Sequence, residues 1–325
     1  MIILLAAVAI ALAVTATLPI ARDDLASEPQ PMSEYESAAA VISRRQSVDA
    51  RVAVPSGRSI FLGHGHRTAI AVVLLHGYTN SPLQYDSLAR ILFRDGDNVY
   101  IPRLPRHAER IDGPAALSRL TPEELRTAAD SAVDVAAGLG DSVVVVGLSM
   151  GGTMAAWIAQ YRSGVRRVIL VAPLMGLARV PAPLESPLAN LAVRMPNVNT
   201  NAPDHQQTDR ELGWSSRTVG QILQLGIAVQ RASARRPPAA PDVAIFLNGN
   251  DHTISTSPVL EVARRWREHG ATVRVYELSA TLGLPHDVID PRQTVRRPEV
   301  VYVAIAAMIA GRSPANDSIE DISSR

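Results

Sequence analysis

Ser142-Val143-Val144-Val145-Val146-Gly147-Leu148-Ser149-Met150-Gly151-Gly152 is the stretch that decides how this chain folds. Four consecutive valines predict a strand over 142–146 that is covered on both faces. The small residues after them open a predicted helix over 150–161. Between strand and helix stands Ser149, with glycines two positions to either side. Gly-x-Ser-x-Gly is common in isolation. Directly after a buried strand and before a helix it reads as a nucleophile elbow, a sharp turn that lifts a serine hydroxyl above a sheet. The helix N-terminus at that point favours developing negative charge.

Outward from this motif, the pattern alternates. A continuous apolar run at 69–75 and the segments 98–101, 167–171, 243–247 and 272–278 predict further strands. Two more, at 47–54 and 58–62, are predicted as a hairpin about Pro55-Ser56-Gly57. Helices are expected over 82–93, from the Thr121-Pro122-Glu123-Glu124 capping box to about 139, and over 258–269 and 298–310. The expectation is an α/β fold: an eight-stranded, mostly parallel sheet flanked by helices. Between Pro173 and Pro241 the alternation stops, and a stretch rich in Pro and Asn with one helix near 216–231 reads as a cap insertion over 174–240. Its apolar stripe (Val219, Ile222, Leu223, Leu225, Gly226) is assigned mainly to helix packing, with some part in lining a pocket. The expected boundaries are a linker at 21–46, the main domain at 47–311 and a flexible tail at 312–325.

A serine needs a base and an orienting acid to become a nucleophile. In a sheet with this motif they follow in chain order, acid then histidine, after later strands. Of the eight histidines, only His286 falls between the last predicted strand and the last helix. Asp251 ends the loop Asn248-Gly249-Asn250-Asp251 after the strand at 243–247, whereas Asp287 and Asp290 come after the histidine and are set aside on order. Backbone N–H donors for an oxyanion are expected from Met150, directly after the serine, and from Tyr78 in the turn His76-Gly77-Tyr78-Thr79-Asn80. His76 is read as a support of that turn.

Together, Leu74-Leu75-His76-Gly77-Tyr78, Gly147-Leu148-Ser149-Met150-Gly151-Gly152, Gly249-Asn250-Asp251 and Pro285-His286-Asp287 resemble the α/β-hydrolase superfamily, and within it the bacterial carboxylesterases and monoacylglycerol lipases. The resemblance covers roughly residues 47–311. It implies hydrolysis of a carboxylic ester, lipid-like esters included, with Ser149, Asp251 and His286 at the triad positions. It also implies that no metal or organic cofactor takes part. An acyltransferase using the same triad, or a catalytically silent hydrolase fold that binds a ligand, are the alternatives. One departure stands out: Pro105-Arg106-His107 occupies the place where many relatives carry a Gly-His-Gly loop.

Composition narrows the remaining classes. With 32 basic and 31 acidic residues the chain has no charge excess that would bring it to nucleic acid. All the basic residues are arginine, which excludes lysine nucleophiles and Schiff bases, and the absence of cysteine excludes thiolate chemistry and disulfides. Residues 2–20 form an apolar run interrupted only by Thr15, Thr17 and Pro19. It reads as a signal peptide, with Val14-Thr15-Ala16 as a cleavage site, or as a retained membrane anchor. Either places the catalytic domain outside the cytoplasm.

Overall fold

The four valines alternate their side chains between two cores. Val143 and Val145 join the cluster on one face of the sheet, and Val144 and Val146 the cluster on the other. Only a strand sandwiched between two helical layers needs apolar residues at every position. The same division holds for Val73 and Leu75 against Val72 and Leu74 in the neighbouring strand.

The computed structural model describes residues 14–18, 20, 25–112, 114–201 and 213–324. Its main sheet has eight strands: β1 (Ile60–Leu62), β2 (Thr68–Leu75), β3 (Asn98–Ile101), β4 (Gly140–Leu148), β5 (Arg167–Val171), β8 (Asp242–Asn248), β9 (Thr272–Leu278) and β10 (Ile319–Asp321). They are ordered β1-β3-β2-β4-β5-β8-β9-β10. The six inner strands are parallel, and β1 and β10 run antiparallel at the two edges. On one face lie α1 (Tyr35–Val52), α3 (Pro122–Leu139), α4 (Met150–Tyr161) and α7 (Ser257–Glu268); α2 (Asp86–Arg94) and α8 (Pro298–Ile309) cover the other. Thr121 caps α3 through the full capping box read from the sequence. The segment between β5 and β8 carries α5 (Ala182–Arg194), the hairpin β6 (Asn199–Asn201) and β7 (Gly213–Ser215), and α6 (Ser216–Ser233), and forms the cap. In α6, Ile222, Leu223 and Leu225 are buried in the core, while Val219 faces the cavity described below.

Three expectations are corrected. Residues 47–54 are not a strand: Val48, Ala50, Val52 and Val54 alternate as a strand would, but the helix α1 runs through to Val52. Ala38, Ile42 and Asp49 form its buried side, and Asp49 holds it by accepting from Ser59 N (2.9 Å), Ser59 Oγ (2.6 Å) and Arg103 Nε (2.8 Å). With no strand at 47–54, β1 pairs with β3 in place of the expected hairpin. The expected linker at 21–46 is docked in its described part. Leu25 is buried and accepts from Trp157 Nε1 (2.8 Å), and Asp130 of α3 accepts from Ser27 Oγ (2.6 Å) and Glu28 N (2.8 Å). The tail expected to be flexible adds β10 to the sheet, with Ile322 buried and its N–H donating to Val275 O (2.8 Å). The apolar run at 2–20 lies mostly outside the described residues, among which no helix is long and apolar enough to cross a membrane.

Candidate active site

Ser149 sits between β4 and α4 with φ 57° and ψ −113°, a conformation that costs a non-glycine residue roughly 1–3 kcal/mol. The surrounding backbone holds it there. Ser149 N donates to Val171 O (3.0 Å), and Ser149 O accepts from Thr153 N (2.9 Å) and Leu174 N (3.1 Å). Both motif glycines are required by close approach. A Cβ on Gly147 would lie 2.0 Å from Gly151 O, and one on Gly151 would lie 2.0 Å from Leu75 O. Met150 follows as the first, buried residue of α4.

The loop after β8 carries Asp251, and the loop after β9 carries His286. The structure brings them into contact, with His286 Nδ1 2.6 Å from Asp251 Oδ2. Two asparagines fasten the loops together. Asn248 Nδ2 donates to Leu284 O (3.0 Å) and Pro285 O (2.9 Å), and Asn250 Nδ2 also donates to Leu284 O (3.0 Å). Burial pushes the Asp251 carboxyl up. Hydrogen bonds from His286 and from the N–H groups of Thr253 and Ile254 outweigh this and leave it below the usual carboxylate range. An ionised Asp251 holds the proton of His286 on Nδ1. His286 Nε2 is buried and has no hydrogen-bond partner among the described residues.

Ser149, His286 and Tyr78 line one cavity of about 440 Å³, walled mainly by apolar side chains such as Leu174, Leu177 and Trp214. A larger cleft, of about 700 Å³, lies between α1 and the loop after β3, and it is lined by ion-paired residues such as Arg103 and Asp49, with no serine–histidine pair. Side-chain chemistry, more than size, makes the smaller cavity the candidate site.

The turn carrying Tyr78 is held from three sides. Gly77 N donates to Gln84 Oε1 (2.7 Å), Tyr78 O lies 2.8 Å from His107 Nε2, and Tyr78 Oη accepts from Ser215 N of the cap hairpin (2.9 Å). The Pro105-Arg106-His107 departure therefore has a structural use: His107 buttresses this turn. His76 is buried as a neutral ring, with Nδ1 beside Gly77 O (2.9 Å) and Nε2 accepting from Leu104 N (3.3 Å). Burial, then the charges of His107 and Arg103, hold its pKa well below the usual histidine value. The unfolded chain binds a proton at His76 near pH 6.5 that the folded chain refuses, so stability rises with pH there and is lost on acidification below that value. We expect the protein to lose stability, and its melting temperature to fall, between pH 7 and pH 5, with up to about 1.4 kcal/mol of unfolding free energy per pH unit coming from this group. His76→Gln should lessen that slope and leave the share of His107, whose pKa burial pushes down to about 4; an unchanged slope would show that His76 contributes nothing to it.

A second network escaped the sequence reading. Asp287 Oδ2 accepts from Asn80 Nδ2 (3.1 Å) and Gln84 Nε2 (2.8 Å), and Asn80 Nδ2 also reaches Asp290 Oδ2 (2.9 Å). Arg292 closes it by donating to Asn80 Oδ1 (2.8 Å) and to Asp290. The residue after His286 is thus tied to the turn that holds Tyr78. Asp287 and Asp290, set aside as acids, serve to hold two loops in register.

The hydrolase architecture is matched by a family model. The model of the alpha/beta hydrolase family fits residues 72–309. The chain belongs to that family. A thermostable monoacylglycerol lipase of Bacillus sp. (strain H-257) is 23% identical over 192 residues, covering 57% of this chain and 72% of the relative. Among solved structures, the monoacylglycerol lipase of Paleococcus ferrophilus superposes with a TM-score of 0.58 at 16% identity, over 78% of this chain and 98% of that one. A structure from work on the metagenome-derived lipolytic enzymes LipS and LipT gives 0.57 at 18% identity, over 80% and 100%. Identities this low speak for the fold. The family's lipase and esterase members make a hydrolase acting on small-molecule esters or lipids the shared expectation.

Proposed function

We propose that this alpha/beta hydrolase cleaves carboxylic esters, including lipid-like ones, through an acyl-enzyme on Ser149. The observation that carries the reading is the short Asp251–His286 contact, which leaves Nε2 unpartnered in the cavity that Ser149 lines. His286 Nε2 removes the Ser149 proton as Oγ attacks the ester carbonyl, and Asp251 stabilises the imidazolium that forms. The oxyanion is received by the N–H groups of Met150 and Tyr78. His286 then protonates the departing alcohol. In the second half it takes a proton from water, whose oxygen attacks the acyl carbon, and returns a proton to Ser149 as the acid leaves. No step calls on a metal or organic cofactor. The apolar cavity wall suits an acyl chain, in keeping with the names of the lipolytic relatives. The apolar run at 2–20 supports export or membrane anchoring, with the catalytic domain outside the cytoplasm.

The test is turnover by the full-length protein on an ester series from butyrate to long-chain monoacylglycerol, with and without an added alcohol. Free acid as the main product supports hydrolysis. Acyl transfer to the alcohol in preference to water would make the chain a transferase, and no turnover on any ester would leave a binding fold.

The loop network adds a prediction. Gln84→Leu strands the buried Gly77 N–H and frees the Tyr78 turn, and a misplacement of about 1 Å near the chemistry costs on the order of 10²-fold. We expect kcat to fall by about that factor with KM little changed. A lower melting temperature with unaltered kcat would mean that Gln84 only packs.

A further inference from the structure

The cleft of about 700 Å³ between α1 and the loop after β3 shares no lining residue with the Ser149 cavity. Its walls are α1, α3 and the segment 102–105, and the buried Tyr100 of β3 forms its floor. Two of its carboxylates are fully engaged. Asp49 accepts from Arg103 on Oδ1 and from Ser59 on Oδ2. Glu124 accepts from Arg106 on Oε1 and from the Thr121 N–H on Oε2.

Arg45 is placed differently. Reaching from α1 to the floor, it donates to Tyr100 Oη (3.0 Å) through Nη1 and to Ser131 Oγ through Nη2, both neutral oxygens. No carboxylate among the described residues pairs with it. Two of the five guanidinium N–H groups are used, and the rest have no partner among the described residues. The two bonds fix the group without neutralising it. A planar guanidinium held in this way, with N–H groups to spare, suits a carboxylate.

Charge and shape narrow the ligand further. Once Asp49–Arg103 and Glu124–Arg106 are paired, Arg44 and Arg45 face Glu123, a net of one positive charge. Ser131, which anchors Arg45, stands two helical turns beyond Glu123 on α3, about 12 Å along the axis, so the cationic and acidic ends are apart. Val48, Pro102, Pro105 and Ala128 give the walls between them apolar surface. A second negative charge on the ligand would meet Glu123, and a bare anion would leave the apolar walls uncovered.

We propose that this cleft binds a monocarboxylate with an apolar body, its carboxylate on Arg45 and its hydrocarbon portion along Val48, Pro102 and Pro105. The site is separate from ester cleavage and stands whether or not Ser149 is a nucleophile.

Photolabelling tests it without recourse to activity. The full-length protein is irradiated with a ten-carbon fatty acid carrying a diazirine near its methyl end, and the adducts are located by peptide mapping. They are expected within 41–48 and 102–105, and decanoate should compete for them where decanol and inorganic phosphate do not. Arg45→Met should weaken this labelling roughly ten- to a hundredfold, the loss of a charge-assisted hydrogen-bonded contact. Val48→Glu sets a like charge at an exposed position of α1 and leaves the bonds of Arg45 in place, so it should weaken labelling as well, and it carries the test if Arg45→Met does not fold by its melt. Labelling confined to the wall of the Ser149 cavity would overturn the proposal. So would competition by decanol or phosphate equal to that by decanoate, or labelling unchanged in Val48→Glu or in a folded Arg45→Met.

Discussion

Ser149→Ala is expected to lower ester turnover by at least about 10⁴-fold while leaving the fold intact. The loss is large because nucleophile and base act as a unit: without Oγ there is no acyl-enzyme, and the remaining rate reflects only binding and oxyanion donors. The fold should survive because the turn is held by the backbone of Ser149, through Val171, Thr153 and Leu174, and by the glycines at 147 and 151. Alanine occupies less space than serine and faces the same φ of 57°. Turnover measured beside a thermal melt separates chemistry from stability. A variant that melts like the parent and still turns over ester within tenfold of it would remove Ser149 from the mechanism.

Asp251→Asn should cost about 10⁴-fold in kcat, nearly as much, for a different reason. Asp251 uses both oxygens: Oδ2 meets His286 Nδ1, and Oδ1 accepts from Thr253 N (2.8 Å) and Ile254 N (3.4 Å). An asparagine that keeps its oxygen on the two N–H groups presents its own N–H₂ to His286. The ring proton then moves to Nε2, the atom that must accept a proton from Ser149. The loops should stay in place, since Asn248 and Asn250 bind the backbone before His286 independently of Asp251. Steady-state kinetics with a soluble ester reads the effect. Retention of more than a tenth of the parent kcat would mean that another group orients His286.

The inner sheet was legible because its signal is local. Runs such as Ala69–Leu75 and Val143–Val146 are apolar at every position; the strands at 98–101, 167–171 and 272–278 lie where they are expected, and the other three inner strands run on by one or two residues. The edges were not. β10 is three residues long with one isoleucine inside it and one beyond, a pattern too short to distinguish from a polar tail. At 47–54 the alternating valines imitate a strand, and the competing helix is stabilised by the Asp49–Arg103 pair, whose members are far apart in sequence. The site divides the same way. Ser149 is marked by its own flanking residues, and Asp251 and His286 by their order after successive strands. Nothing in the sequence marks Asn80 and Asp287, which meet across 207 positions, or the burial that keeps His76 neutral. The apolar stripe of α6 has the spacing of a packed helix face, and Ile222, Leu223 and Leu225 are buried accordingly.

Covalent capture asks whether Ser149, in its strained elbow, is the activated nucleophile of this chain. The full-length protein is incubated with a fluorophosphonate at neutral pH, and the adduct is counted by intact mass and located by peptide mapping. One adduct per chain is expected, carried by Ser149, and formed more slowly by orders of magnitude in Asp251→Asn and His286→Ala. An adduct on another serine, or no adduct in a protein that is folded by its melt, would contradict it.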